Sequence, residues 1–370
     1  MCSRLIVMVL FLGAALACPA GGTEYQENPG IVISDIYSDI SSGDVLIYSE
    51  NEFRDMRMQI QLSRKDNVLQ TVVIDIDHIR VGSTTMKAFS WDIGVTEDGL
   101  YTVTASIYDN DQKLTSVTYN FVHGRPAISS IMVDSVSSDS AGMSVMITPH
   151  PGVPAIIDLT FMLVDGSDVI YARSMKNVPV HTATTTVHEN WDRILDAGRE
   201  YEGRVKIDIH SPVQRTVSYV KPFYASEKVT ITDVFRDRRG SSITLEGESQ
   251  VPFEGYVRFT VLEPWNDPER TVQVIEQKSP LLLSGDDETI EAIWDKPLEP
   301  GKYRLIIEAA GSGGAVIDIK ETIIEVEERR VQQVPDNNEE NDSIIPGFAG
   351  VYALIALISA MLILVRKHRH

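Results

Sequence analysis

Cysteine is nearly missing from this 370-residue chain. It occurs twice, as Cys2 and Cys18, and nowhere after position 18. No disulfide framework is available to the rest of the molecule, so each folded unit must be held by its core alone. Units of about a hundred residues are large enough for that. Catalytic signatures are missing too: the sequence has no H-E-x-x-H, no glycine-rich phosphate loop, no G-x-S-x-G and no EF-hand spacing. The histidines away from the C-terminus (His78, His123, His150, His181, His188 and His210) are scattered and form no motif. Basic charge is scarce, with 33 Lys and Arg against 53 Asp and Glu. Setting aside Arg4, Arg366, Lys367 and Arg369 at the two ends leaves 29 basic residues against 53 acidic ones, a net of −24. Such a surface excludes nucleic acid as a partner, because a phosphate backbone needs a basic one. Outside the C-terminal run there is no long amphipathic helical period.

The ends of the chain carry what the middle lacks. Arg4 precedes an apolar stretch over 5–17 and then small residues, the layout of a secretory signal peptide over 1–20. Ala15-Leu16-Ala17 and Cys18-Pro19-Ala20 each offer a cleavage site. The sequence ALAC resembles a lipobox, in which Cys18 would carry lipid. Residues 344–365 are uncharged and apolar, long enough as a helix to cross a hydrocarbon core of about 30 Å. The basic residues 366–370 follow directly, and positive charge marks the cytoplasmic side. The expected layout is a signal peptide, a large exterior region, an acidic stalk over 327–343, one transmembrane helix and a short cytoplasmic tail, which puts the protein at the cell surface. Asn341-Asp342-Ser343 is a glycosylation sequon within that stalk.

Between the ends the periodicity is that of strands. SVTYNFV, IDLTFMLV, YVRFTVLE and YRLIIEA are short runs rich in β-branched and aromatic residues, and turn signals such as DND and DRRGSS interrupt them. One phrase recurs three times. WDIGVTEDGLY begins at Trp91, WDRILDAGREY at Trp191 and WDKPLEPGKY at Trp294. Three of the four tryptophans open it, and Tyr101, Tyr201 and Tyr303 close it. Alignment on the phrase gives three units, 30–122, 127–224 and 227–326, each with about seven strand candidates. In the first unit these lie near 31–38, 44–48, 55–63, 68–75, 83–91, 100–108 and 113–121. The phrase reads as a crossover between two sheets: a strand ends at Trp, glycine (Gly99, Gly198, Gly301) permits the turn, and Tyr opens the next strand as a tyrosine corner. The expected fold class is all-β, three tandem immunoglobulin-like sandwiches plus one C-terminal transmembrane helix.

EPGKYRLIIEA and AGREYEGRVKI resemble the strand-F region of fibronectin type III and related immunoglobulin-like modules, although the antibody-type cysteine pair is absent. Pro346-Gly347-Phe348, the apolar run after it and the terminal basic cluster together resemble the PGF-CTERM sorting signal of archaeal surface proteins. That resemblance implies export, cleavage near the triplet by an archaeosortase and transfer to a membrane lipid; a permanently retained span is the alternative.

Candidate sites are few. Asp75, Asp77 and His78 sit on one strand candidate, where the two carboxylates share a face. The loops 49–54 and 109–112 of the first unit bring in Glu50, Glu52, Asp109 and Asp111, an acidic tip suited to a cation such as calcium or to a cationic partner. No other cofactor is expected. The sequence reads as a non-enzymatic surface protein, a spacer, adhesin or envelope component among other surface proteins. The alternative is a receptor or accessory subunit presenting a ligand or partner to a membrane complex.

Overall fold

The computed structural model describes residues 30–94, 96–124, 131–150, 153–181, 183–211, 214–263 and 270–327. These residues form 21 strands, and no helix occurs among them. The first seven are β1 (Ile31–Ser38), β2 (Ser42–Ser49), β3 (Phe53–Arg64), β4 (Asn67–Ile79), β5 (Ser83–Ser90), β6 (Gly99–Asp109) and β7 (Gln112–His123). The next seven are β8 (Ile131–Ser138), β9 (Gly142–Pro149), β10 (Ala155–Asp165), β11 (Asp168–Val180), β12 (Thr185–Asn190), β13 (Glu200–Ser211) and β14 (Arg215–Tyr224). The last are β15 (Val229–Arg236), β16 (Gly240–Gly247), β17 (Tyr256–Glu263), β18 (Arg270–Lys278), β19 (Asp287–Ile293), β20 (Gly301–Ala310) and β21 (Val316–Val326). The seven strands expected for the first unit each correspond to one observed strand, most of them longer than the pattern indicated.

Every set of seven has the same pairing. Strands one, two and five form a small sheet, and strands four, three, six and seven form a larger one, in that order. Alternate residues of both sheets point inward to a single cluster, so each repeat has its own core. Ile47, Met58, Ile60, Tyr101 and Val103 lie in the first, Phe161, Trp191 and Val205 in the second, and Phe259, Trp294 and Leu305 in the third. Burying a large apolar side chain contributes about 1.5–3 kcal/mol, which is how the described residues, none of them cysteine, keep three cores.

The repeated phrase sits where one sheet hands over to the other. Trp91, Trp191 and Trp294 each follow the last residue of the fifth strand, and all three are buried. The tyrosines lie at the start of the sixth strand. Tyr101 donates its hydroxyl to the Glu97 carbonyl (2.7 Å) and Tyr303 to the Glu299 carbonyl (3.0 Å). Tyr201 differs: its oxygen accepts the Asp196 backbone N–H at 3.2 Å. The glycine differs in the same repeat. Gly99 and Gly301 precede their tyrosines by two residues with φ of 149° and 159°, whereas Gly198 precedes by three with φ 76°. The extra residue in the second repeat therefore moves the turn one step upstream and reverses the direction of the corner bond.

A second recurring element explains what the tryptophans hold. In the turn between the first two strands, Asp39, Asp139 and Asp237 each accept two backbone N–H groups through Oδ1, two and three residues on. The indole N–H of Trp191 donates to the Asp139 carbonyl (2.9 Å) and that of Trp294 to the Asp237 carbonyl (3.2 Å), while Trp91 donates to the Ser38 hydroxyl (3.0 Å). Each tryptophan thus ties its crossover to a carboxylate-capped turn across the end of its own core.

In the second repeat a carboxylate also fixes a register shift. β10 and β11 slip between Ile157 and Leu159, and Asn177 opposite has φ 55°. The Asp158 carboxylate accepts the Asn177 N–H at 2.7 Å and meets Lys176 at 3.0 Å and His210 at 3.1 Å. The Asn177 N–H, foremost, holds its carboxyl down from 3.8 to about 2, against the opposing effect of burial. A lowered carboxyl contributes stability that is complete above the unfolded value and is lost as pH falls through the folded one. Asp158→Ala is therefore expected to cost roughly 2 kcal/mol at neutral pH. The gap between variant and parent should close between about pH 4 and pH 2, read by urea unfolding at several pH values.

Candidate functional site

The acidic residues grouped by the sequence do not converge on one cation. Glu52 pairs with Arg54 at 2.7 Å and with His78 Nε2 at 3.2 Å, and the Arg54 guanidinium foremost lowers its carboxyl below the usual range. Asp111 pairs with Arg57 at 2.6 Å, and Asp109 accepts the Asn110 amide at 2.8 Å. Glu50 is exposed, and its N–H closes the sheet end on the Gly30 carbonyl. Asp75 and Asp77 do share the outer face of β4, as alternation requires, and line a cleft of about 490 Å³ with Asp55 and Asp111. Arg57 lies in that cleft as the cross-strand neighbour of Asp75, so the chain supplies its own cation there. Among the described residues no three metal-ligating side chains come together. Millimolar calcium is accordingly expected to leave the thermal melting curve where it was; a rise of several degrees would reinstate the tip as a cation site.

Cys18, Asn341 and Pro346-Gly347-Phe348 lie outside the described residues, as do the signal peptide and the apolar run 344–365. No described helix is long and apolar enough to cross a membrane.

The site that the sequence did not announce lies between the first two repeats. Arg204 on β13 is 4 % exposed, although its neighbours in sequence alternate as a solvent-facing row would. Its guanidinium reaches across to the first repeat, donating to the Phe89 carbonyl (2.8 Å), the Gly43 carbonyl (3.3 Å) and the Ser90 hydroxyl (3.1 Å), and pairs with Glu202 at 2.6 Å. Two residues on, Lys206 meets Asp44 at 2.9 Å and lies 5.2 Å from the centre of the Tyr37 ring. Burial pushes the Asp44 carboxyl up, and Lys206 pulls against it. The Ser218 hydroxyl donates to Asp39 at 2.7 Å. At the opposite end of the contact the Ala88 N–H donates to the Ser167 carbonyl at 2.8 Å. Lys87 pairs there with Asp168, through the one bridge that joins β5 to β11 and makes a seven-stranded sheet of both repeats. The contact runs from Ser218 near the start of β14 to the turn between β10 and β11. The first repeat therefore lies alongside the second, where modules strung end to end were expected.

The junction between the second and third repeats is built differently. Only 225–228 separate β14 from β15. Val251 of the third repeat belongs to the core of the second. The Gln250 carbonyl accepts the Leu195 N–H at 3.0 Å, and its own N–H donates to the Ser140 carbonyl at 2.9 Å. The crossover phrase and the capped turn of the second repeat together grip the third.

Where the first repeat leans on the second, a cleft of about 530 Å³ opens. Its walls include Tyr37, Tyr119, Phe121 and His123 from the first repeat and Arg215, Ser218 and Tyr219 from the second. That volume falls in the range of small-ligand sites, about 300–1,000 Å³, which favour such junctions. Burial is the leading cause that raises all three tyrosine pKa values above the ordinary phenol value, so the rings stay neutral and their hydroxyls remain donors.

No family model matches the sequence, and no curated protein does either. Solved structures match only distantly. Trypsin-activated alpha-2-macroglobulin from Escherichia coli is similar at 10 % identity over 80 % of this chain and 23 % of its own, with a TM-score of 0.22. Red sea bream transglutaminase is similar at 11 % identity over 55 % of this chain and 32 % of its own, TM-score 0.26. The chain thus spans less than a third of either protein. The FN1-FN3 domains of chicken CNTN1 are similar at 12 % identity over 80 % of this chain and 98 % of their own, TM-score 0.21. Scores this low do not establish a common architecture.

Proposed function

We propose that the three repeats are immunoglobulin-like sandwiches of the fibronectin type III kind, locked into a stiff arm that presents a binding surface outside the cell. The small sheet of strands one, two and five against the larger sheet of four, three, six and seven is the strand arrangement of such a module and supports the reading. The anchor in this reading is the run 344–365, or a lipid attached after cleavage near Pro346-Gly347-Phe348. The role is non-enzymatic: a spacer or adhesin in the envelope.

One observation carries it. Both junctions are buttressed by buried groups, Arg204 and Asp44 at one and Val251 at the other, where a flexible chain of modules would leave small, polar contacts. Spin labels at Lys113→Cys and Lys320→Cys on exposed strands of the first and third repeats are expected to give one narrow distance distribution. A broad distribution would overturn the stiff arm. The anchor is tested separately on the full chain, which should stay with membranes through a high-salt, high-pH wash; release into the supernatant would remove it.

The second reading, a receptor or accessory subunit, is favoured by the cleft between the first two repeats, because a mere spacer has no need of a recess lined by aromatic rings.

A further inference from the structure

The first repeat docks on the second through its small sheet, where Gly43, Asp44 and Phe89 meet Arg204 and Lys206. The outer face of its larger sheet lies on the other side of the repeat, and Thr71, Thr118 and Asn120 are exposed there. That face has an uncharged field. Its central row crosses β4, β3, β6 and β7 as Thr71, Gln61, Thr104 and Thr118. The row on either side is equally free of charge, and charge returns only with Asp75, Arg57 and Lys113 in the row beyond. The same face of the second repeat carries Arg204 and Lys206, and that of the third carries the pairs Arg258–Glu276 and Arg304–Glu321.

Much of the polar capacity of this face is spent within it. Thr102 donates to the Asn120 side-chain oxygen at 2.8 Å, Ser106 and Ser116 share a hydrogen bond of 2.9 Å, and Ser63 donates to the Thr102 carbonyl at 3.2 Å. Groups already paired lose less when water leaves. An apolar margin adjoins them: Leu100 and Val122 face each other across β6 and β7, and both are exposed. A charged partner surface would be desolvated here without compensation. Two copies of a chain of net charge −20 meet at the lowest electrostatic cost where neither carries charge. We propose that this face binds its counterpart on a second copy, sheet on sheet, about a two-fold axis near Thr104. The proposal rests on the presenting-arm reading and names its surface and its partner. Strands about 4.8 Å apart, with outward side chains about 6.8 Å apart along each, give the three rows roughly 400 Å² per copy. Two copies then bury about 800 Å², short of the roughly 1,200–2,000 Å² of a stable complex, so the contact is weak and relies on the high local concentration of anchored copies.

Sedimentation equilibrium of the full chain in density-matched detergent is expected to show a reversible dimer at concentrations up to about 0.5 mM. Raising salt from about 50 to about 500 mM should tighten it severalfold, because screening relieves the repulsion between acidic copies and takes nothing from an uncharged contact. Thr104→Glu and, at an exposed position, Thr118→Glu should each weaken it at least about tenfold, as like charges set face to face do, with melting curves unchanged. Thr289→Glu adds the same charge to an exposed position of the third repeat and should leave the dimer as it was. A chain that stays monomeric throughout overturns the proposal. So does a dimer that salt weakens, one that neither face variant alters, or one that Thr289→Glu weakens as much. The run 344–365 is common to every variant, so association through it shows as indifference to the face. The spin-label distance within one copy, read in Thr118→Glu diluted with unlabelled chain, keeps the two failures apart. A broad distribution removes the arm, whereas a narrow one without a dimer in the parent removes the self-contact alone.

Discussion

Arg204→Ala is expected to detach the first repeat from the second and to lower its stability by about 3–5 kcal/mol, as removal of one partner from a buried charged network does. The side chain is only 5 % exposed and serves three acceptors on the neighbouring repeat besides Glu202. Truncation removes charged hydrogen bonds, worth about 1.5–3 kcal/mol each, from the Phe89 and Gly43 carbonyls, which keep each other's N–H as partners across β2 and β5. Glu202 is about a third exposed, and water screens its lost partner. The interface carbonyls, not the ion pair, therefore dominate. Arg204→Lys keeps the charge but not the fork, and should recover less than half of the loss. The measurement is thermal unfolding together with the spin-label distance between first and third repeats. A variant that melts with the parent and keeps its narrow distance would show the contact to be incidental.

The neighbouring pair behaves oppositely toward pH. Burial raises the Asp44 carboxyl above its unfolded value, so the folded state takes up that proton more readily. The contribution of Asp44 to stability is then fullest below its unfolded value and falls as pH rises through the folded one. Acid does not open this interface through Asp44, whereas it does weaken the second repeat through Asp158.

How much of this was legible beforehand follows from what each residue does. The crossover phrase stood out because its tryptophans and tyrosines are core residues of a rare type, and a core has the same needs in every repeat. The capped turn was legible in principle: Asp39 precedes Trp91, and Asp139 precedes Trp191, by the same 52 positions. Alignment on aromatic residues passes over it, because its neighbours DISSG, DSAG and DRRG share little but the first and last letters. The interface was not legible. Glu202, Arg204, Lys206 and Asp208 alternate with Gly203, Val205, Ile207 and Ile209, which is the pattern of a strand with one face in water. Only the docking of another repeat converts that face into an interior, and periodicity within one strand has no record of it. The ion pairs at the acidic tip were hidden for the converse reason: the sequence shows carboxylates on two loops but not that Arg54 and Arg57 fold back onto them.

Trp191→Ala is expected to have the larger consequence, because the second repeat touches both of its neighbours. The indole is 1 % exposed, among the largest fully buried side chains, and its loss should cost about 3–5 kcal/mol in transfer energy and cavity. Single repeats of this size have about 5–15 kcal/mol in total, so the second repeat should fall to marginal stability. The damage spreads along specific contacts. Trp191 ties the crossover to the Asp139 turn through its ring N–H and through the Ala141 carbonyl, which accepts its backbone N–H. The same turn and crossover supply Ser140 and Leu195 to the third repeat. The first repeat loses its platform when β13 unfolds. Tyr201→Phe is the contrasting case: its hydroxyl accepts a single backbone bond, and the ring stays, so about 1 kcal/mol is expected. Limited proteolysis reads the difference. Trp191→Ala should be cut within the second repeat and release both flanking repeats as resistant fragments, while Tyr201→Phe stays whole. If Trp191→Ala were no more sensitive to cleavage than Trp91→Ala or Trp294→Ala, the central repeat would not be the keystone that its two interfaces make it.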